Sequence, residues 1–335
     1  MHLDPTKIPG YVKGQPPNQD IFRKISFMDE LEAMWGRKWG AQSKVGKLSY
    51  AIVMPPSDNE ESDEILEDPV FYGLPDGVRP NLKKMRQQYK ALIKVLEENG
   101  VELEEMEVPQ YFMGPYCRNR MVWAPASAFV INGGAIVPRY GLAPWRKGLE
   151  VIIARKLAAI GCPILYTVHG TGIMESGGNI FFLDPHHALI GIGPSGNEEG
   201  FEQVSHLLRR NGVKEIHKVV FTGDIHLDIV FGLVDSRLGL VYPPGLDAKT
   251  LDYLDGKGIE LIEVSDEEHK NSACNILALE PGKIIMVAGN PVATGILRQR
   301  GVEVIEVGMS EFVLAGGGPH CAVGCLIREP GPLLT

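Results

Sequence analysis

Five times along the chain a helix-patterned stretch ends at a glycine and passes at once into a β-rich run. The five are ENG-VELEEMEV at Gly100, AIG-CPILYTV at Gly161, RNG-VKEIHKVV at Gly212, GKG-IELIEVS at Gly258 and QRG-VEVIEVG at Gly301. Successive glycines stand 61, 51, 46 and 43 residues apart, so the repeat tolerates loops of different length. Glycine is the usual residue just past a helix because it takes positive φ without a Cβ clash. A unit of this size cannot bury its own apolar face, so its copies must stack in a row or close into a ring.

The stretches before the glycines carry helical spacing. Met85, Tyr89, Leu92, Ile93 and Leu96 mark one apolar face; Leu149, Ile152, Ile153, Leu157 and Ile160 mark a second. Phe201, Val204, Leu207 and Leu208 mark a third, and shorter faces lie near Leu251 and Leu254 and near Val292, Ile296 and Leu297. Upstream of each helix are strand-like runs, several broken by a turn signal (NGG, DPHH, DSR, EPG) that predicts a hairpin. Five ββαβ units over residues 46–335 predict a five-bladed α/β propeller. The alternative is a two-layer α/β domain in which helix–Gly–strand recurs by chance. Residues 1–45 fall outside the repeat as a partly helical N-terminal extension. Its candidate helix, DIFRKISFMDELEAMWGRKW, is expected to pack on the ring or on a neighbouring subunit.

Bulk properties narrow the function. Apolar residues at 44% and charged residues at 22% suit a globular protein with a substantial core. A net charge of -9 and a pI near 5.5 argue against a nucleic-acid partner, which calls for a basic face. No apolar stretch approaches the roughly 18 residues of a membrane span, and the opening MHLDPTKIPGY lacks a secretory pattern. The five cysteines, Cys117, Cys162, Cys274, Cys321 and Cys325, are odd in number and scattered, which suits a reducing compartment. A cytoplasmic location without membrane partners is expected.

Chemistry concentrates just after each Gly-strand: Arg118, Asn119 and Arg120; His169, Glu175, Ser176 and Asn179; Asp224, His226 and Asp228; His269, Asn271 and Asn275; His320 and Cys321. Counted from the repeat glycines, Asn119, Glu175, His226 and Cys321 lie 19, 14, 14 and 20 residues on. In a ring, equivalent loops meet at one mouth, so a carboxylate, a His-x-Asp pair and a thiol would converge there. In HLD, alternation along an extended segment would put His226 and Asp228 on one face. Each residue also has a structural reading, since a histidine is commonly a hydrogen-bonded surface group and a cysteine a small buried hydrophobe.

The stretch GGGPHCAVGC contains His320, Cys321 and Cys325, but no second CxxC or HxxxH completes a tetrahedral metal set. A phosphate loop would lead its glycines into a helix, whereas these lead into the strand-like AVGCLIREP. A Cys321–Cys325 disulfide is sterically poor along an extended strand. The reading that remains is a reactive thiol at Cys321.

The set RNR, ESGGN, HLD and GGGPHC, in this order over residues 118–321, resembles the guanidino-group-modifying superfamily, the penteins. These include arginine deiminases, dimethylarginine dimethylaminohydrolases, agmatine deiminases and amidinotransferases, and the likeness spans roughly residues 46–330. GPHC with the following RE most resembles the arginine deiminases. The resemblance implies a fivefold ββαβ propeller, Cys321 as nucleophile, His226 as general acid/base, Glu175 as the active-site glutamate and Asp228 holding the guanidinium nitrogens. It places Arg118, Asn119, Asn179 and His320 with the substrate and implies no metal and no cofactor.

Two departures stand out. Arginine deiminases have Arg-Asp where this chain has Arg118-Asn119, and Glu-Gly-Gly-Asp where it has Glu175-Ser176-Gly177-Gly178-Asn179. Asn119 can donate to a carbonyl, which a carboxylate cannot, and arginine dihydrolases resemble the chain in having Asn there. The expected partner is a small guanidino or ureido molecule, with one or two hydrolyses open, and a homo-oligomer open as well. Arg118, Arg120, Arg139 and Arg146 are candidates for holding the far end of the substrate. The alternatives are an amidinotransferase and a non-catalytic propeller binding protein.

Overall fold

A computed structural model of the protein describes residues 5–56, 80–107, 121–141, 147–175 and 177–334. Their strands form five separate three-stranded sheets. In one, Ile180–Asp184 and His187–Ile192 make an antiparallel hairpin, the helix Glu198–Arg210 follows, and Glu215–Val220 returns parallel to His187–Ile192. Three further hairpins open sheets of the same construction: Phe129–Ile131 with Gly134–Val137, Phe231–Asp235 with Leu238–Val241, and Leu277–Glu280 with Lys283–Val287. Each is completed by a helix and a parallel strand.

The helices stop where the repeat puts its glycines. Gly100, Gly161, Gly212, Gly258 and Gly301 have φ of 75°, 87°, 90°, 70° and 82°, a region closed to most side chains. Leu82–Glu98 buries Met85, Tyr89, Leu92 and Leu96, and Asn81 caps its start by accepting from the Lys84 N–H. Glu198–Arg210 buries Phe201, Val204 and Leu208. It carries acidic residues in its first turn and basic ones in its last, the order that the helix dipole favours. The helices Ala248–Gly256 and Pro291–Gln299 have 9 residues each, matching their shorter apolar faces.

The remaining sheet joins distant parts of the chain. Leu48–Val53 runs parallel to Glu102–Glu105 and antiparallel to Val323–Arg328. Within that last strand Gly324 is required, because a Cβ there would lie 2.2 Å from the Pro125 carbonyl oxygen.

Apolar clusters carry the packing from sheet to sheet. Tyr50, Ile52 and Leu326 of the joining sheet pack with Val130 of the next and with Leu149 of the helix that follows it. Phe129 and Ile136 pack with Phe182 and Ile190. Leu189, Leu240 and Ile284 belong to a cluster spanning three sheets, and Leu277 and Ile285 return to Leu48 and Val53. Every sheet thus has two neighbours, and the five close into a five-bladed α/β propeller. Each fully buried aliphatic side chain contributes about 1.5–3 kcal/mol of transfer free energy.

The N-terminal candidate helix is two helices, Gln19–Phe22 and Phe27–Trp35. Ser26 separates them, being extended and starting the second helix through a reciprocal capping box with Asp29. Leu31 of that helix packs with Trp39 and Leu326 on the ring. Gly40 bridges to Ile327, and Val45 is part of the central apolar cluster.

Candidate active site

Cys321 sits in a single helical turn, Pro319–Ala322, that opens directly into the strand Val323–Arg328. The sequence reading ran the glycines straight into a strand; Pro319 at the first helical position accounts for the turn instead. The glycines allow close approach. A Cβ on Gly317 would lie 2.9 Å from the Cys321 Cβ, and one on Gly318 would lie 3.0 Å from Asn275 Oδ1.

Asn275 organises this turn. Its Nδ2 donates to Cys321 Sγ (3.1 Å) and to the Asp228 carbonyl (3.2 Å). Its Oδ1 accepts from the backbone N–H of Gly318 (3.0 Å) and Cys321 (3.2 Å). It follows the fourth Gly-strand, 17 residues past Gly258, so the repeat pointed at its loop without assigning it a role. Asn275→Ala leaves two buried N–H groups without an acceptor, a loss of about 1–3 kcal/mol each. The expected result is a lower unfolding temperature together with slower alkylation of Cys321 by iodoacetamide. An unchanged alkylation rate would show that the amide acts on the fold alone.

His226 and Asp228 come together differently from the expectation for an extended HLD segment. His226 is extended and precedes a helical turn, Leu227–Val230, that contains Asp228. Both are buried, and the turn brings Asp228 Oδ2 to 3.5 Å from Cys321 Sγ, which donates to it. His320 Nδ1 lies 2.7 Å from the same oxygen. The other carboxylate oxygen, Oδ1, is buried with no hydrogen bond among the described residues. Gly178 makes room for this group, since a Cβ there would lie 2.9 Å from all three carboxyl atoms.

Glu175 is fully buried; its Oε1 accepts from the Gly141 N–H (2.8 Å) and its Oε2 is 4.0 Å from His226 Nε2. Two residues expected beside the substrate are held by partners within the protein. Asn179 donates to Ser195 Oγ (2.8 Å) and accepts from the Leu227 N–H (3.1 Å), which anchors the turn after His226. His320 is engaged by Asp228 on one side and by Lys44 Nζ, 3.0 Å from Nε2, on the other. Arg139 donates to the Gly172 carbonyl. Arg118, Asn119, Arg120 and Arg146 lie outside the described residues.

Trp123, Tyr140, Leu149 and Ile225 line a pocket together with His226 and Cys321. The electrostatics set the resting state of the thiol. Burial, and then the Asp228 charge, push Cys321 well above the usual thiol range, only partly opposed by the Asn275 amide. Burial acts to raise Asp228 too, but the His320 hydrogen bond and the positive charge around the carboxyl outweigh it and hold it below its ordinary range. The site at rest is a neutral thiol against a carboxylate. Among the described residues no group of three or more His, Cys, Asp or Glu side chains is placed to hold a metal ion.

The fold recurs in solved structures. The N-terminal domain of ArgZ, an arginine dihydrolase from cyanobacteria, bound to substrate, superposes with a TM-score of 0.69 over 84% of this chain and 98% of its own, at 20% identity. A dimethylarginine dimethylaminohydrolase adduct gives 0.65 over 82% and 98%, at 21% identity. Among relatives by sequence, the 2-nitroimidazole nitrohydrolase of Mycobacterium sp. (strain JS330) is 26% identical, over 91% of this chain and 86% of its own. The arginine deiminase of Listeria monocytogenes serovar 1/2a is 24% identical, over 95% and 88%. The five-bladed fold is thus shared with these solved structures, and residues 243–328, which carry Asn275 and Cys321, match the arginine deiminase family model.

Proposed function

We propose that the protein is a cysteine-dependent hydrolase that cleaves a C–N bond in an arginine-like guanidino or ureido substrate. The observation that carries this is the buried Cys321 thiol held between the Asn275 amide and the Asp228 carboxylate in a pocket that His226 also lines. A guanidinium resists water through resonance, and a covalent intermediate divides its cleavage into two easier steps. Its N–H groups suit Asp228 Oδ1, the acceptor without a hydrogen bond among the described residues. A bound cation also offsets the Asp228 charge that helps hold the thiol neutral, so substrate promotes formation of its own nucleophile.

With the cation bound, Cys321 releases its proton to solvent and the thiolate forms a C–S bond to the guanidinium carbon. The departing nitrogen takes a proton from the His226 imidazolium as the C–N bond breaks, leaving an S-linked thiouronium. Water adds to that carbon, His226 takes its proton, and the C–S bond breaks to release a ureido product and the thiolate. Glu175, 4.0 Å from His226 Nε2, stabilises the imidazolium in both steps.

A second reading shares this chemistry. The C2 carbon of a 2-nitroimidazole, like a guanidinium carbon, is bonded to three nitrogens, and nitrite would be the leaving group. The apolar walls from Trp123, Tyr140, Leu149 and Ile225 favour a flat, uncharged ring. The test is mass spectrometry of products from arginine, citrulline, agmatine, methylated arginines and 2-nitroimidazole, each with and without glycine as an amidino acceptor. Ammonia or an amine with a ureido product is expected. Nitrite alone would select the second reading, a new guanidino compound an amidinotransferase, and no product at all would sink the hydrolase assignment.

A further inference from the structure

Lys44 lies in the segment leading from the N-terminal helices to the first strand, where no sequence pattern marked chemistry. Its Nζ is 3.0 Å from His320 Nε2 and donates to the Gly177 carbonyl at 3.2 Å. It also lies 4.5 Å from the centre of the Phe181 ring, on which His320 stacks with planes 9° apart. On its other side His320 meets Asp228 Oδ2 at 2.7 Å, and Asp228 meets the Cys321 thiol. Lys44, His320, Asp228 and Cys321, drawn from three distant parts of the chain, thus form one row ending at the thiol.

The row has a direction. An ammonium carries donors and no acceptor, so the imidazole nitrogen facing it must present a lone pair. The single proton of the neutral ring then resides on Nδ1 and is aimed at Asp228, a tautomer assigned from the network. Lys44 and His320 line a small cavity with Ser43, Phe129, Cys325 and Arg328, and Ala126 is the wall residue it shares with the pocket that His226 and Cys321 line.

We propose that Lys44 is a positioning residue for the reaction: by donating to Nε2 it fixes His320 as the Nδ1–H tautomer, whose donor keeps the Asp228 carboxylate ionised and oriented beside Cys321. The role rests on the reading of Cys321 and Asp228 given above, but the row exists without substrate and is testable without it. The ionisable groups facing Lys44 are His320, Cys325, Asp228, Arg328 and Cys321. Burial brings its ammonium down to about 8, so it is cationic at neutral pH and discharges on the alkaline side. Burial and the Lys44 charge together hold His320 below its ordinary range. Without that charge, His320 is free to take a second proton at Nε2.

The experiment is histidine 15N NMR of wild type, Lys44→Met and Lys44→Arg from about pH 6 to 9, the range in which imidazoles titrate, with His320 assigned from the His320→Asn spectrum. Wild type is expected to show a neutral Nδ1–H ring at pH 7. The methionine variant should show an imidazolium fraction at least about tenfold higher at that pH, and arginine should restore the wild-type tautomer. The added positive charge on His320 would then sit directly on Asp228 and weaken its hold on a guanidinium, so with the substrate found in the panel methionine should raise KM about tenfold or more with a smaller change in kcat. A folded methionine variant with unchanged His320 titration, or a wild-type ring protonated at Nε2, overturns the proposal. If methionine prevents folding, Lys44→Gln takes its place: a raised His320 imidazolium fraction at pH 7 supports the role, and an unchanged His320 titration refutes it. Absence of turnover in every protein would count against the hydrolase reading and leave the NMR result to decide the role of Lys44.

Discussion

Cys321→Ala should abolish product formation on whichever substrate the panel identifies, by roughly 10⁴- to 10⁶-fold in kcat. The fold should survive the change. The thiol is small and neutral at rest, and its removal leaves Asn275 with its three backbone hydrogen bonds and Asp228 with its bond from His320. The unfolding midpoint should therefore stay within a few degrees of wild type, since losing so small a buried group costs about 1 kcal/mol. Cys325→Ala is the matched control. That cysteine faces Ala51 in the joining sheet, and its loss should leave turnover intact. A Cys321→Ala protein that keeps more than about a hundredth of wild-type kcat would remove the covalent mechanism, because no other described thiol lines the pocket.

The second large effect belongs to His226. His226→Asn removes the group assigned to protonate the departing nitrogen and should lower kcat by about 10²- to 10⁴-fold. The size of the loss depends on the leaving group, and that dependence separates an acid from a structural residue. An S-methyl isothiourea analogue departs as a thiolate that needs no proton, so the variant should lose far less on it than on the nitrogen substrate. Equal losses on both would mean that His226 shapes the pocket rather than supplying a proton. His226→Asn should still alkylate at Cys321, since the Asn275 and Asp228 contacts to the sulfur do not pass through the histidine.

Much of the ring was legible because its punctuation is physical. The five glycines mark positions where positive φ is obligatory, and the hairpin signals fall where the chain reverses. Cys321, His226, Glu175 and Asp228 were legible for a related reason, as equivalent loops of a closed ring must meet. One-turn helices escaped, since Leu227–Val230 and Pro319–Ala322 are too short to display a period. That is why His226 and Asp228 read as an alternating pair. Asn275 and Lys44 escaped for another reason. Their roles depend on contacts made 46 and 276 residues away, and neither an asparagine nor a lysine in a loop announces its partner. His320 and Asn179 were visible as polar residues in the right loops, yet only the folded chain supplies their partners, Asp228 and Lys44 for one, Ser195 and Leu227 for the other.

The pairing of Leu48–Val53 with Val323–Arg328 makes the order of synthesis matter. As the chain emerges, the first strand stands with one edge unpaired while four further sheets are made, an exposed template for wrong partners. The strand that ends this exposure is the one that Cys321 immediately precedes. A chain stopped before it would hold His226, Asp228 and Asn275 around no thiol. Catalytic competence and ring closure therefore arrive together, and an active molecule is by construction one whose barrel of blades is complete.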